Sequence, residues 1–315
     1  MSNHAFLRMA NVDGHITPAE EAKISIFDRG FLYGDSVYEV FRTYSGVSLF
    51  FDEHFDRLEN SARLIHMPLT QSRNDLVEEI RRTIRATGLP APKQNATGGP
   101  DVYVRYHITR GAGPIDLNPD PQLKTSYVIM VKEVPTWKAE FYSSGMRLAI
   151  PTIRRNPVGA LNPNIKGGNY LNNILALAEA VELGADDCAI LNREGLVTEA
   201  SNSNLFFVID GQLVTPGDRA GNLRGITRTA IRKACGAHGL KVEETDLHAS
   251  QLPQASECFV TSATREVMPV LSLRLEDGKV VEFPAGGGEI TRHTAQYYRQ
   301  YVEQYVREHA DNRLV

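Results

Sequence analysis

Lys166 closes an irregular, proline-containing run, Asn162-Pro163-Asn164-Ile165-Lys166, and is followed by Gly167 and Gly168. Leu171, Ile174, Leu175 and Ala178 then recur at helical spacing, so the lysine sits at a loop-to-helix hinge. Side chains at such hinges are commonly aimed into clefts. An amine held partly out of water, or beside another cation, is a nucleophile towards carbonyls. Three other features carry complementary chemistry. The run Thr198-Glu199-Ala200-Ser201-Asn202-Ser203-Asn204 follows a predicted strand and joins a carboxylate to hydrogen-bonding neighbours. Gly225-Ile226-Thr227 opens a predicted helix, where backbone N–H groups and a hydroxyl form an anion site. Arg57 supplies a permanent, fork-shaped cation suited to phosphate.

Amine, anion site and carboxylate together are what pyridoxal 5'-phosphate requires: a Schiff-base lysine, a phosphate cup and a partner that keeps the pyridine nitrogen protonated. The ring accepts a carbanion formed beside the imine carbon only while that nitrogen is positively charged, and a carboxylate stabilises the charge. Taken singly, each residue also suits an ordinary role as surface cation, strand-end carboxylate or helix cap. Spacing along the chain does not by itself bring the four together.

Hydrophobic periodicity gives the elements that must position them. Strands are predicted at 6–12, 23–27, 37–44 and 47–51, with hairpin turns at Asp13-Gly14 and Ser45-Gly46. Asp52 caps a predicted helix reaching about position 65, which contains Arg57 and aligns Leu58, Ala62 and Ile65. Ser72 caps another that turns Leu76, Val77, Ile80 and Ile84 inward and ends at Gly88. A turn-rich connection at 89–100 precedes strands at 102–109 and 126–134. The pattern breaks at Pro135-Thr136-Trp137-Lys138, which places a small α/β domain at 1–135, a linker at 136–145 and a larger cofactor-binding domain at 146–315. The second half carries predicted strands at 146–153, 188–191, 204–209, 212–215, 241–244 and 257–261, a 271–283 hairpin and an aromatic-studded helix at 289–308. The expected architecture is α+β in two domains, the second richer in strand.

Five runs, in order, carry a resemblance: Asp28 to Glu39 (DRGFLYGDSVYE), Lys166 to Asn173 (KGGNYLNN), Thr198 to Phe206 (TEASNSNLF), Leu223 to Arg228 (LRGITR) and Phe259 to Pro269 (FVTSATREVMP). They resemble the successive signatures of the class IV aminotransferases, the pyridoxal-phosphate enzymes of fold type IV, over about residues 5–300. The resemblance implies a small α/β domain beside a larger pseudo-barrel domain, and a homodimer in which Tyr33 reaches the partner's pocket. It implies that Lys166 carries the cofactor and moves the proton, that Glu199 contacts the pyridine nitrogen, and that Arg57, Ile226 and Thr227 hold the phosphate. Tyr170 is expected near the ring hydroxyl. Its spacing from Lys166 is one position shorter than in branched-chain members and closer to D-amino-acid transaminases. Ala263 stands where many relatives have a phosphate-binding threonine, so that contact falls to backbone, Ser262, Thr264 or water.

For substrate, Arg105 is similar to a strand arginine of branched-chain members and Trp137 to their domain-junction tryptophan, while Tyr38 is expected to line the side-chain pocket. The backbone at Ala263-Thr264 would share in orienting the carboxylate. Residues 111–118 lack the arginine and histidine of D-amino-acid members. The implied activity is transfer of an amino group between an amino acid, branched-chain-like and L, and a 2-oxo acid. A D-amino-acid or R-selective amine transaminase and an aminodeoxychorismate lyase-like enzyme remain as alternatives.

Composition sets the outer limits. The 315 residues, 42% of them hydrophobic, suffice for one large or two ordinary cores. A net charge of −4 gives no global basic field for nucleic acid. Cys188, Cys235 and Cys258 have neither disulfide-framework nor metal-ligand spacing. No run approaches the roughly 20 apolar residues of a membrane helix, and the N-terminal residues lack a signal-peptide core. The expectation is a soluble, cytoplasmic protein with no metal, nucleic-acid or membrane partner.

Overall fold

Residues 102–109 alternate buried and half-buried positions, so one strand gives Val102, Val104, Tyr106 and Ile108 to a core and Tyr103, Arg105 and His107 to the opposite face. This strand belongs to the first of two units in the computed structural model, which describes residues 7–89 and 101–314. Unit one comprises the described chain up to Pro135, with Ile165–Asn169 and the residues from Gln304 on. Its elements are β1 (Met9–Val12), β2 (His15–Pro18), α1 (Arg29–Tyr33), β3 (Ser36–Tyr44), β4 (Val47–Ser48), α2 (Phe51–Leu64), α3 (Arg73–Ala86), β5 (Val102–Thr109) and β6 (Ser126–Glu133). The strands form one antiparallel sheet in the order β2-β1-β6-β5-β3-β4. Phe55, Leu58 and Ala62 of α2 and Leu76, Ile80 and Ile84 of α3 pack on its apolar face. Burying each large side chain there contributes roughly 1.5–3 kcal/mol. At the start of α3, Ser72 and Asp75 form a reciprocal capping box.

Unit two comprises Thr136–Asn164 and Tyr170–Glu303. It contains α4 (Ala139–Ser143), β7 (Met146–Ala149), α5 (Leu171–Glu182), β8 (Asp187–Cys188), β9 (Asn204–Ile209), β10 (Gln212–Pro216), α6 (Ile226–Ala237), β11 (Val242–Thr245), β12 (Ala255–Ser262), β13 (Glu266–Arg274), β14 (Val280–Glu282) and most of α7 (Glu289–Glu308). Its mixed sheet runs β11-β10-β9-β12-β13-β7-β8, with β14 paired to β13. The core gathers Leu148, Ile150, Leu191, Leu205, Phe207, Val260, Met268 and Leu273. Cys188, Cys235 and Cys258 are buried and unbridged, and burial pushes all three thiols up.

Several local expectations are corrected. Residues 23–27 form no strand, while the short, polar hairpin strand β2 had no apolar period to announce it. Phe50, at φ 53°, is the N-cap of α2, and Asp52 lies inside its first turn. The segment Ile165–Asn169 groups with unit one although it follows the predicted junction. For α5 the spacing leaves the buried face open, and the apolar stripe faces outward: Leu171, Ile174 and Leu175 are 61%, 58% and 49% exposed, and Asn173, Ala176 and Ala180 form the buried side. The connection expected at 89–100 lies outside the described residues from position 90 on, as does the start of the strand predicted at 6–12.

Candidate active site

Within unit one, the Lys166 segment extends the sheet alongside the start of β3. Lys166 accepts from Tyr38 N–H (2.9 Å), Gly168 donates to the Ser36 carbonyl (2.9 Å), and Gly167 bridges Val37. Lys166 N–H donates to Ser61 Oγ of α2 at 3.1 Å. This close approach explains the second glycine, since a Cβ on Gly168 would lie 2.2 Å from Ser36 Oγ. The lysine is thereby held on both sides of its backbone. Its Nζ stands 4.5 Å from the Tyr38 ring centroid and 3.4 Å from Tyr38 Oη.

Strand register adds two more groups to that face. Tyr38 pairs with His107 across β3 and β5, and their rings stack at 4.9 Å. The Arg105 guanidinium lies 4.2 Å from the same tyrosine centroid, and its Nε donates to His107 Nε2 at 2.6 Å. Burial, then the Arg105 and Lys166 charges, hold the His107 imidazole down at about 3.

The other face of β3 carries Glu39, fully buried against α2. Arg57 grips it through Nε and Nη2, both at 2.7 Å, and His54 Nδ1 approaches at 2.6 Å. Burial alone would raise the Glu39 carboxyl, but Arg57, then His54, outweigh it and hold the group at about 2. Tyr33, at the end of α1, lies under the Arg29 guanidinium, 5.1 Å from ring centroid to Cζ.

Within unit two, Glu199 is buried and both of its oxygens are engaged. Arg155 Nη2 meets Oε1 at 2.9 Å, and Leu223 N–H donates to Oε2 at 2.9 Å. Arg155 also reaches toward Asn172 and Asn173 on α5, and Asn173 bonds the Ser201 carbonyl. The Leu223 end of this network runs into α6, whose N-cap Gly225 leaves the first-turn N–H groups without a side-chain cap. A Cβ on Gly225 would come 1.9 Å from Asn204 Oδ1, so any other residue there must displace the Asn204 side chain. Ile226 is half-buried and Thr227 buried at the start of α6. Ser262, Ala263 and Thr264 lie at the turn from β12 to β13. Trp137 Nε1 donates to the Thr264 carbonyl at 3.0 Å, and Arg265 stacks on the Trp137 ring at 4.7 Å. Tyr170 is the N-cap residue of α5.

Residues 36–273 match the sequence profile of the family described as Amino-transferase class IV. The chain is 33% identical over 288 residues to a putative branched-chain-amino-acid aminotransferase of Methanocaldococcus jannaschii, covering 91% of this chain and 94% of the relative. The chain belongs to the class IV aminotransferases. It is 34% identical over 299 residues to a D-alanine aminotransferase of Listeria monocytogenes, with 93% and 96% covered. Among solved structures, it is similar to the branched-chain amino acid aminotransferase of Thermobaculum terrenum in its PLP-form, at a TM-score of 0.78, 28% identity and 95% coverage of each chain. This aminotransferase is therefore an enzyme of α+β, fold type IV architecture.

Sequence reasoning missed Arg155, Glu39, His54 and His107 in this aminotransferase. Arg155 and Glu199 are 44 positions apart, and no period links them. His107 did leave a signal, because residues two apart on a strand share a face with each other and hence with Arg105.

Proposed function

We propose that this enzyme transfers an amino group between an amino acid and a 2-oxo acid with pyridoxal 5'-phosphate carried on Lys166. The observation that carries the reading is the seating of Lys166: its backbone is tied to Tyr38 and Ser61, and its amine is kept beside one aromatic ring. The residues present suit the cofactor's parts. Glu199, with both oxygens receiving N–H bonds, is fixed in orientation and suits a ring nitrogen as its partner. The N-terminus of α6, with Ile226, Thr227 and a bare glycine cap, suits a phosphate, and Arg57 is the candidate cation for it. Ser262, Thr264 and the backbone at Ala263 take the place of the absent threonine, and Tyr170 is the candidate neighbour of the ring hydroxyl.

When bound, the cofactor supplies an electron sink for breaking the bond between the substrate carbon and its hydrogen. The Lys166 amine takes that proton and returns it, with Tyr38 Oη at 3.4 Å limiting where it can swing. Glu199 is kept aimed by Arg155 and Leu223. Arg105 anchors the substrate carboxylate, and Tyr38 and Trp137 border an apolar side chain. Trp137 also braces the turn holding Thr264.

A branched-chain L-amino acid is our first choice of donor, on the branched-chain relatives and on Arg105. A D-amino acid is the second, favoured by the 34% identity to a D-alanine aminotransferase. We also propose a homodimer, which would cover the exposed stripe of α5 and bring Tyr33 to the partner's pocket. The buried, unbridged thiols suit work in a reducing cytoplasm.

A panel of L- and D-amino acids plus one chiral amine, followed at the cofactor's absorbance, tests the reading. Conversion by L-valine or L-leucine supports the first choice. Conversion by D-alanine alone replaces it with the second, and a response to the amine alone removes both.

A further inference from the structure

Arg105 differs from Arg29, Arg110 and Arg57 of the same unit in what neutralises it. Arg29 and Arg110 share Asp35, and Arg57 has Glu39. Among the described residues no carboxylate lies within ion-pair distance of Arg105; its partners are the Tyr38 ring, His107 and the Tyr103 hydroxyl. A guanidinium only donates, so His107 Nε2 must be the unprotonated nitrogen and the imidazole must be neutral with its proton on Nδ1. The face of the guanidinium is then set by Tyr38 and its Nε edge by His107.

We propose that His107 is a positioning residue that aims Arg105 as the anchor of the substrate carboxylate. With Nε occupied, the side-on fork of Nε and Nη is closed to an incoming carboxylate. The end-on pair of Nη groups, which still has N–H bonds to give, is what remains for bidentate binding. His107 thereby selects one of two docking geometries beside Lys166, whose amine shares the Tyr38 ring. A protonated His107 would repel Arg105, and burial keeps it neutral. The inference rests on the reading of Arg105 as carboxylate anchor given under the proposed function.

The test uses the holoenzyme with His107→Phe, which keeps a ring on Tyr38 but offers no acceptor, and His107→Gln, which keeps an acceptor. Isovalerate, a carboxylate with no amino group, measures anion binding without turnover. In His107→Phe, the isovalerate dissociation constant and the amino-acid KM rise about tenfold, more than kcat falls. The visible spectrum of the bound cofactor is kept, and His107→Gln recovers to within about threefold of wild type. Arg105→Leu weakens isovalerate at least as much. Isovalerate binding that survives His107→Phe but not Arg105→Leu would overturn the role of His107. Binding indifferent to Arg105→Leu would instead remove the anchor itself, and wild type inert to every donor would sink transamination while leaving the isovalerate result to be judged separately.

Discussion

Glu199 illustrates how a single carboxylate is prepared for one task. Both of its oxygens already receive N–H bonds, from Arg155 and from Leu223, so the group is oriented before any ligand arrives. Glu199→Gln keeps the shape and removes the charge. We expect proton abstraction, read from single-turnover rates with Cα-deuterated substrate, to slow about 10²-fold. Arg155→Leu leaves the Leu223 bond in place, so its loss should be nearer tenfold. Equal rates for Glu199→Gln and wild type would exclude the carboxylate from the chemistry. Lys166, Glu199 and the Gly-Ile-Thr run stand out in the sequence as candidates because their residue types and order match a family pattern. Arg155 and His54 do not, since each acquires its meaning from a partner that the fold alone delivers.

At the level of elements, long unbroken periods place secondary structure correctly. β5 and α7 fall where alternation and helical spacing put them, at Val102–Thr109 and Glu289–Glu308. Short or polar elements are not placed this way: α1 is only five residues long, and its signal is the Asp28 side chain capping Gly30 N–H. For α5 the spacing gives the helix but not which of its faces is buried. A helix whose large apolar residues point outward has that face available for a partner. Ile174→Glu with Leu175→Glu should therefore shift the enzyme from dimer to monomer in light scattering while leaving the far-ultraviolet spectrum unchanged. A dimer undisturbed by both charges would move the interface elsewhere. Gly225 makes a second element-scale claim. Gly225→Ala forces Asn204 away and breaks its 2.9 Å bond to the Leu223 carbonyl, so affinity for pyridoxal phosphate should fall at least about tenfold in equilibrium dialysis.

For the molecule as a whole, pH acts through the buried cluster of unit one. Glu39 is held at about 2 against an ordinary 4.5. Its stabilisation is complete above the ordinary value and is lost as pH falls through the folded one, a loss on the order of 3 kcal/mol. His54 adds in the same direction: burial pushes it down, so the unfolded chain takes up a proton first as pH drops below about 6.5. Thermal midpoints should fall from pH 6 to pH 3, and Glu39→Gln should flatten the part of that slope below pH 4.5. The proposed chemistry depends on where the cofactor is attached. Borohydride reduction of the enzyme loaded with pyridoxal phosphate, followed by peptide mass mapping, reads that directly. The added pyridoxyl mass is predicted on the peptide containing Lys166 and to vanish in Lys166→Ala. Its appearance on another lysine, with Lys166 unmodified, would contradict the account.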